Sequence, residues 1–135
     1  MTTFRLATFE HGGSDRPGLV VGDRVLDLVA ASAAGHAQTR AVPTDLRGII
    51  ESWSPAVAAR LQSIADAGLH DGPGVYALAD VRLRAPIRYP WNLLCMAANY
   101  RAHADEMGAD SAVDPDGEEP VFFAKSARNC IADPG

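Results

Sequence analysis

The sequence lacks several features that would assign it to a common class of protein. Its 135 residues include two cysteines, Cys95 and Cys130, and no C-x-x-C pair, so a disulfide scaffold or a dithiol redox centre has no support. Asp and Glu (17) outnumber Lys and Arg (12), which argues against nucleic acid or an anionic membrane as a partner. No G-x-G-x-x-G, P-loop or G-x-S-x-G motif occurs, so nucleotide binding and serine-hydrolase chemistry lack a basis.

Long hydrophobic runs are also missing. No stretch approaches the length needed to cross a bilayer, and the N-terminal residues lack the apolar core of a signal peptide. We therefore expect a cytoplasmic protein in a reducing compartment. A hydrophobic content of 47% is nevertheless enough to bury a core of domain size.

The first part of the chain shows the pattern of short strands. Residues 3–10 alternate apolar and polar side chains, which predicts a half-buried strand. Residues 11–18 are dense in turn formers and are expected to end that strand. A two-residue step at residues 22–23 then joins the apolar runs 19–21 and 24–26, as in a tight hairpin.

Residues that typically begin and end helices follow these predicted strands. Asp27 is placed to cap a short helix. Ser54 and Pro55 are an N-cap followed by proline at the first helical position, and Gly68 is placed to end this second helix. Residues 79–83 are predicted to form a further strand.

Two prolines, Pro86 and Pro90, interrupt regular structure and predict a domain boundary near residues 85–90. Residues 1–85 are thus predicted to form a small N-terminal domain of antiparallel strands and helices. Residues 86–135 are predicted to begin a second domain. The fold class expected from this order of elements is α+β.

The second domain contains the residues that suggest chemistry. It opens with an apolar strand at residues 91–96, which is expected to be buried. A helix is predicted at residues 100–107, between Asn99 as N-cap and Gly108 as terminator. Another apolar strand follows at residues 121–124.

His103 and Glu106 are expected on one face of this helix, because residues three apart lie side by side. Tyr100 lies beside them, whereas Arg101 and Asp105 fall on the other face and can pair with each other. A carboxylate that touches an imidazole fixes its tautomer and raises its basicity, as a general base requires. A solvated His–Glu pair on a surface helix is the alternative that base rates favour.

Lys125 comes directly after the strand at residues 121–124. A lysine at a strand end can hold a substrate carboxylate or enolate as a compact positive charge. A lysine that extends from the strand end into water is the alternative.

The chain resembles the fumarylacetoacetate hydrolase family along its whole length. Residues 4–10, 19–28 and 83–87 look like the family's small N-terminal domain, and residues 94–107 look like the opening of its catalytic domain. The usual pattern there is C-x-G-x-N-Y-x-x-H-x-x-E, and here it is matched except that Ala97 replaces the glycine. Residues 119–125 resemble the strand that follows.

The resemblance implies a metal-dependent hydrolase of C–C bonds in 2,4-dioxo acids, of the fumarylacetoacetate or acylpyruvate type used in aromatic catabolism. His103 and Glu106 become the dyad that activates water, and Lys125 and Tyr100 become substrate-binding residues. The implied cofactor is a divalent metal, Mg, Mn or Ca. Its ligands, an E-x-E pair and a later aspartate, lie beyond this chain, so no metal ligand is assigned here. A homodimer is expected for the full-length protein, with a dioxo acid as its small-molecule partner.

The resemblance leaves other functions open. An isomerase of hydroxymuconate-type dienes or a decarboxylase of oxaloacetate-like acids would use the same dyad for proton transfer. The family's catalytic domain is a β-rich roll, and residues 86–135 are expected to hold only its truncated beginning. A fragment without its metal ligands is therefore also expected to be non-catalytic as it stands.

Overall fold

The computed structural model describes residues 1–35, 39, 42–97, 100–106, 108 and 121–134, without the side chains of Arg101 and Ala104. The chain packs as two compact units. The first unit takes Met1–Arg88 together with the segment that begins at Ile131, and the second takes Tyr89–Cys130. The division into domains at residues 1–85 and 86–135 stays a prediction.

A five-stranded antiparallel sheet organises the first unit. Its strands follow one another in the order β4-β3-β2-β1-β5, so β2 lies at the centre and the short strands β4 and β5 form the edges. The strands are β1 (Arg5–His11), β2 (Ser14–Val21), β3 (Arg24–Asp27), β4 (Val75–Ala77) and β5 (Arg82–Arg84).

Strand β1 ends at His11, as predicted, but the next strand begins before the apolar run 19–21. The turn that joins β1 to β2 consists of two residues, Gly12 and Gly13, whose φ angles of 59° and 75° lie in the left-handed region that glycine adopts readily. Strand β2 begins at once with Ser14. The second predicted hairpin is confirmed, since Val21 pairs with Arg24 across residues 22–23.

Three helices accompany this sheet: α1 (Leu28–Ala33), α2 (Leu46–Glu51) and α3 (Pro55–Ala67). The predicted caps are confirmed. Asp27 accepts hydrogen bonds from the amides of Val29 and Ala30, and Ser54 accepts one from Val57. Helix α3 ends at Gly68, whose φ is 79°. Helix α2 and strand β4 were not predicted from the sequence.

Apolar side chains fill both faces of the sheet. One cluster of buried residues joins the sheet to the helices: Leu19, Leu26, Leu28, Ala31, Leu46, Ile49 and Leu61. On the other face Phe9, Val20 and Val25 form a second cluster. Gly18 lies beneath this second cluster, because Phe9 and Val25 occupy the space that a side chain at residue 18 would need.

The strand predicted at residues 79–83 is shorter than expected. A 3₁₀ helix occupies Leu78–Asp80, and β5 covers only Arg82–Arg84. The side chains of Leu78, Val81 and Leu83 cover the second apolar cluster, so this segment serves packing more than strand pairing.

The second unit contains strands β6 (Leu93–Met96) and β7 (Phe122–Lys125) and helix α4 (Arg101–Glu106). The two strands pair as an antiparallel two-stranded sheet, with Cys95 opposite Phe123. The prediction of a buried strand is wrong, because Leu94 is 64% exposed and Phe122 is 56% exposed. Two strands alone offer too little surface to bury both of their faces.

Strands and helices in the first unit alternate irregularly around an antiparallel sheet, which confirms the α+β class. None of the helices that the structure describes combines the length and the apolar character needed to cross a membrane.

Candidate functional site

Helix α4 carries the histidine of the predicted dyad. It covers six residues, Arg101–Glu106, and its first turn is closed by a hydrogen bond from the His103 amide to the Tyr100 carbonyl at 3.0 Å. Gly108, with a φ of 66°, donates its amide to Asp105 and ends the helix as predicted. The proposed N-cap Asn99 and the last predicted helical residue, Met107, lie outside the described residues.

The structure brings the rings of Tyr100 and His103 together. Their centroids are 5.2 Å apart and their planes are inclined by 55°, a tilted arrangement that aromatic groups favour. The Tyr100 ring is 57% exposed, whereas His103 is half-buried. A small molecule approaching this face of α4 would therefore meet the phenol and the imidazole together.

Glu106, the other member of the predicted dyad, is exposed. Among the described residues, no hydrogen bond or ion pair joins the carboxylate to the imidazole. The helical spacing of three residues keeps the two side chains within reach of each other, so a change of rotamer is enough to join them. The Arg101 side chain, and with it the predicted pairing with Asp105, lies outside the described residues.

Lys125 is the last residue of β7 and is exposed. Its Nζ lies 5.5 Å from the centroid of the Phe123 ring, a distance typical of a cation–π contact. Phe123 and Lys125 point to the same side of the strand because they are two residues apart. Within the described part of the chain, Lys125 forms no hydrogen bond or ion pair with Tyr100, His103 or Glu106.

The first unit contains an open cavity of about 350 Å³ that the sequence did not predict. Its wall is largely apolar, with Leu26, Ile64 and Val75, and its rim includes His70 and Asp71. Most of the lining residues lie in one stretch of the chain, residues 63–75, and Leu26 of β3 adds to the wall from the sheet. Of the other histidines, His11 is exposed and its Nε2 lies 3.1 Å from the Tyr76 hydroxyl, and His36 lies outside the described residues.

Metal binding by this chain depends on which of the described side chains lie close together. Among them, no three His, Cys, Asp or Glu residues come close enough to hold a metal ion. The carboxylates and imidazole of α4 therefore do not by themselves form a metal centre.

Comparison with known proteins places two enzymes near this sequence. It is 43% identical over 56 residues to the oxaloacetate tautomerase YisK of Bacillus subtilis, a match that covers 41% of this chain and 18% of that protein. It is 32% identical over 99 residues to the maleylpyruvate hydrolase of Aquipseudomonas alcaligenes, covering 73% of this chain and 32% of that protein.

The chain thus spans about a fifth of the first relative and about a third of the second. No family model matches the sequence. The similarity is to proteins named as a tautomerase and a hydrolase, and both names refer to an oxo acid.

Proposed function

We propose that this chain is part of an enzyme of the fumarylacetoacetate hydrolase family that hydrolyses a C–C bond in 2,4-dioxo acids. The observation that carries the proposal is the similarity to a maleylpyruvate hydrolase over 73% of the chain. Maleylpyruvate consists of an acyl group attached to pyruvate, so it has the 2,4-dioxo unit that the sequence motif around His103 suggests.

His103 is the general base in this proposal. Its imidazole takes a proton from water, and the resulting hydroxide adds to the distal carbonyl carbon of the substrate. The bond between that carbon and the neighbouring methylene then breaks, and its electron pair remains on the pyruvate part as an enolate. The imidazolium returns the proton to the methylene carbon. The products are a carboxylic acid and pyruvate, and one water is consumed.

The remaining residues assist this sequence in the proposal. Glu106 turns toward His103 when substrate binds and orients the imidazole. The Tyr100 hydroxyl and the Lys125 ammonium bind the oxygens of the substrate, and the lysine offsets the negative charge that develops on the enolate. The contact between the Tyr100 and His103 rings supports this assignment, because it holds a hydrogen-bonding group next to the base.

The family resemblance also implies a divalent metal, which would supply Lewis-acid stabilisation of the enolate. The described residues of this chain hold no cluster of three metal-ligating side chains. The steps proposed above therefore use only the side chains of this chain.

Tautomerisation is the second candidate function, favoured by the 43% identity to an oxaloacetate tautomerase over 56 residues. That reaction moves one proton from carbon 3 of the oxo acid to the oxygen on carbon 2, without water. His103 would accept the proton from carbon and deliver it to oxygen. The same base serves both reactions, so the substrate decides between them.

The test is an assay of the complete gene product with maleylpyruvate and with oxaloacetate. Hydrolysis predicts that pyruvate and maleate are formed from maleylpyruvate, measured by chromatography. His103→Ala should lower kcat by about 10²–10⁴-fold, the usual contribution of a general base. Glu106→Gln should lower it less, because only the orientation of the base is lost.

Asp105→Asn is the matched control, since Asp105 is exposed on the same helix outside the proposed dyad. It should leave turnover unchanged. Unchanged turnover in His103→Ala would refute the assignment of the base. Tautomerisation of oxaloacetate without any cleavage of maleylpyruvate would replace the hydrolase by the second candidate.

A further inference from the structure

A group of charged side chains lies at the β5 edge of the sheet in the first unit. It consists of three arginines and three carboxylates, and we call it the edge cluster: Arg82, Arg84, Arg88, Glu10, Asp15 and Asp133. Glu10 lies on β1, whereas Asp133 comes from the far end of the chain. The cluster is neutral as a whole, and each charged group in it lies within 4.0 Å of an opposite charge.

Arg84 is the centre of the edge cluster, and its side chain is only 15% exposed. Its Nη1 donates to Asp133 Oδ2 at 2.7 Å, and its Nη2 donates to the Glu10 carboxylate. Its Nε lies 3.8 Å from Asp15 Oδ1. A guanidinium that is largely removed from water needs such partners, because an unpaired buried charge is costly.

Asp133 uses both of its carboxylate oxygens. While Oδ2 accepts from Arg84, Oδ1 accepts from the Ala85 amide at 2.9 Å. Ala85 is 4% exposed and directly follows β5, the edge strand. A buried amide at a sheet edge has no neighbouring strand to supply a carbonyl. Asp133 supplies this acceptor from 48 residues away.

The chain leaves the first unit after Arg88 and rejoins it at Ile131. Close to the exit, the Thr8 hydroxyl donates to the Pro86 carbonyl at 2.7 Å, next to the amide that Asp133 binds. The exit and the return of the chain are therefore both fixed by side-chain contacts to the same edge of the sheet.

We propose that Asp133 is an anchoring residue that docks the returning segment onto the β5 edge by binding the Ala85 amide and the Arg84 guanidinium together. Residues 131–134 are then a structural part of the first unit and close its exposed sheet edge. The anchor does not depend on the function proposed above.

The electrostatics of the pair agree with this role. The hydrogen bond from the Ala85 amide, and then the Arg84 guanidinium, lower the pKa of the Asp133 carboxyl despite its partial burial. The hydrogen bond to Asp133 in turn raises the pKa of the Arg84 guanidinium. Arg88 adds positive charge on the same side, whereas Glu10 and Asp15 share the guanidinium of Arg84.

The alternative is that Asp133 and Arg84 form an ordinary surface ion pair, and such pairs contribute little to the stability of a protein. Two features separate Asp133 from that case. Its side chain is only 21% exposed, and one of its two partners is a buried backbone amide, which cannot move away to find water.

Amide hydrogen exchange in the intact 135-residue chain tests the anchor. The rate at the Ala85 amide is measured by NMR in wild type, Asp133→Ala and Asp133→Asn. Asp133→Ala leaves the amide without an acceptor and should accelerate its exchange about tenfold or more. Asp133→Asn keeps a carbonyl oxygen but loses the charge, so its rate should lie between those of the other two proteins.

Asp80→Asn is the matched control, because it removes an exposed carboxylate from the same unit outside the edge cluster. It should leave exchange at Ala85 unchanged. Unfolding of the first unit in Asp133→Ala, with Asp80→Asn still folded, would also support the anchor. Exchange at Ala85 within about twofold of wild type in a folded Asp133→Ala protein would overturn it.

Discussion

Replacing Gly18 by alanine should destabilise the first unit through a steric clash at the centre of the sheet. A Cβ at residue 18 would lie 2.5 Å from Cγ2 of Val25 and 3.0 Å from two ring carbons of Phe9. Both neighbours are 0% exposed, so neither can turn into solvent. Strand β2 has β1 on one side and β3 on the other, which prevents its backbone from retreating.

The magnitude of this effect follows from two opposing terms. Overpacking of a core by a methyl group costs about 1–3 kcal/mol. Alanine also stabilises the folded state by about 0.5–1 kcal/mol relative to glycine, because it lowers the entropy of the unfolded chain. We therefore expect the free energy of unfolding to fall by about 1–2 kcal/mol. In a unit of this size that corresponds to a decrease in Tm of roughly 4–16 °C.

Urea denaturation followed by far-UV circular dichroism measures the change. Gly72→Ala is the control, because the nearest atom to a Cβ there is a carbonyl oxygen at 4.0 Å, and it should be neutral or slightly stabilising. Val25→Ala removes the clashing methyl group, so in the double variant the cost of Gly18→Ala should shrink. Equal stability of Gly18→Ala and Gly72→Ala would refute the steric argument.

Two further predictions concern carboxylates of the first unit. Asp27→Ala should lower the free energy of unfolding by about 1–2 kcal/mol in urea denaturation, because buried Asp27 caps α1 with two hydrogen bonds. Asp45→Ala, at an exposed cap with one bond, should cost less, and the reverse order would contradict the reasoning. The hydrogen bond from the Thr2 amide lowers the pKa of Asp66. Ionised Asp66 therefore stabilises the fold above the ordinary pKa of a carboxyl group, and this contribution is lost as the pH falls below it. Asp66→Asn should therefore weaken the loss of stability measured below about pH 4, and an identical acid profile would contradict this.

The capped helices of the first unit were predictable because their signals are local. A cap residue bonds to amides two or three positions away, so Asp27 and Ser54 mark the starts of α1 and α3 whatever surrounds them. Helix α2 carries a local cap as well, because Asp45 accepts a hydrogen bond from the Gly48 amide, whereas strand β4 has no such signal. They cover six and three residues, and each depends on tertiary packing. Ile49 of α2 is buried in the first cluster, and β4 forms by pairing with β3.

The early start of β2, at Ser14 rather than at Leu19, has a specific cause. Pro17 and Gly18 are turn formers by composition, but both lie within β2. Pro17 pairs with Thr8 of β1, whereas the pairing with β3 begins at Gly18. At Pro17 β2 is therefore paired on one side among the described strands, and a strand tolerates proline at such a position. Gly18 is required by the packing of side chains from two neighbouring strands, which a sequence window does not contain.

The candidate site shows the same division between local and tertiary effects. Tyr100 directly precedes α4, and its contact with His103 spans one turn, so the local sequence brings the two rings together. A hydrogen bond between His103 and Glu106 additionally requires fixed rotamers, and exposed side chains keep their rotamer freedom. The exposed apolar residues of β6 and β7 show that the described part of the second unit offers little packing to fix them. We therefore expect the proposed His103–Glu106 hydrogen bond to depend on what packs against α4 rather than on the spacing of the two residues.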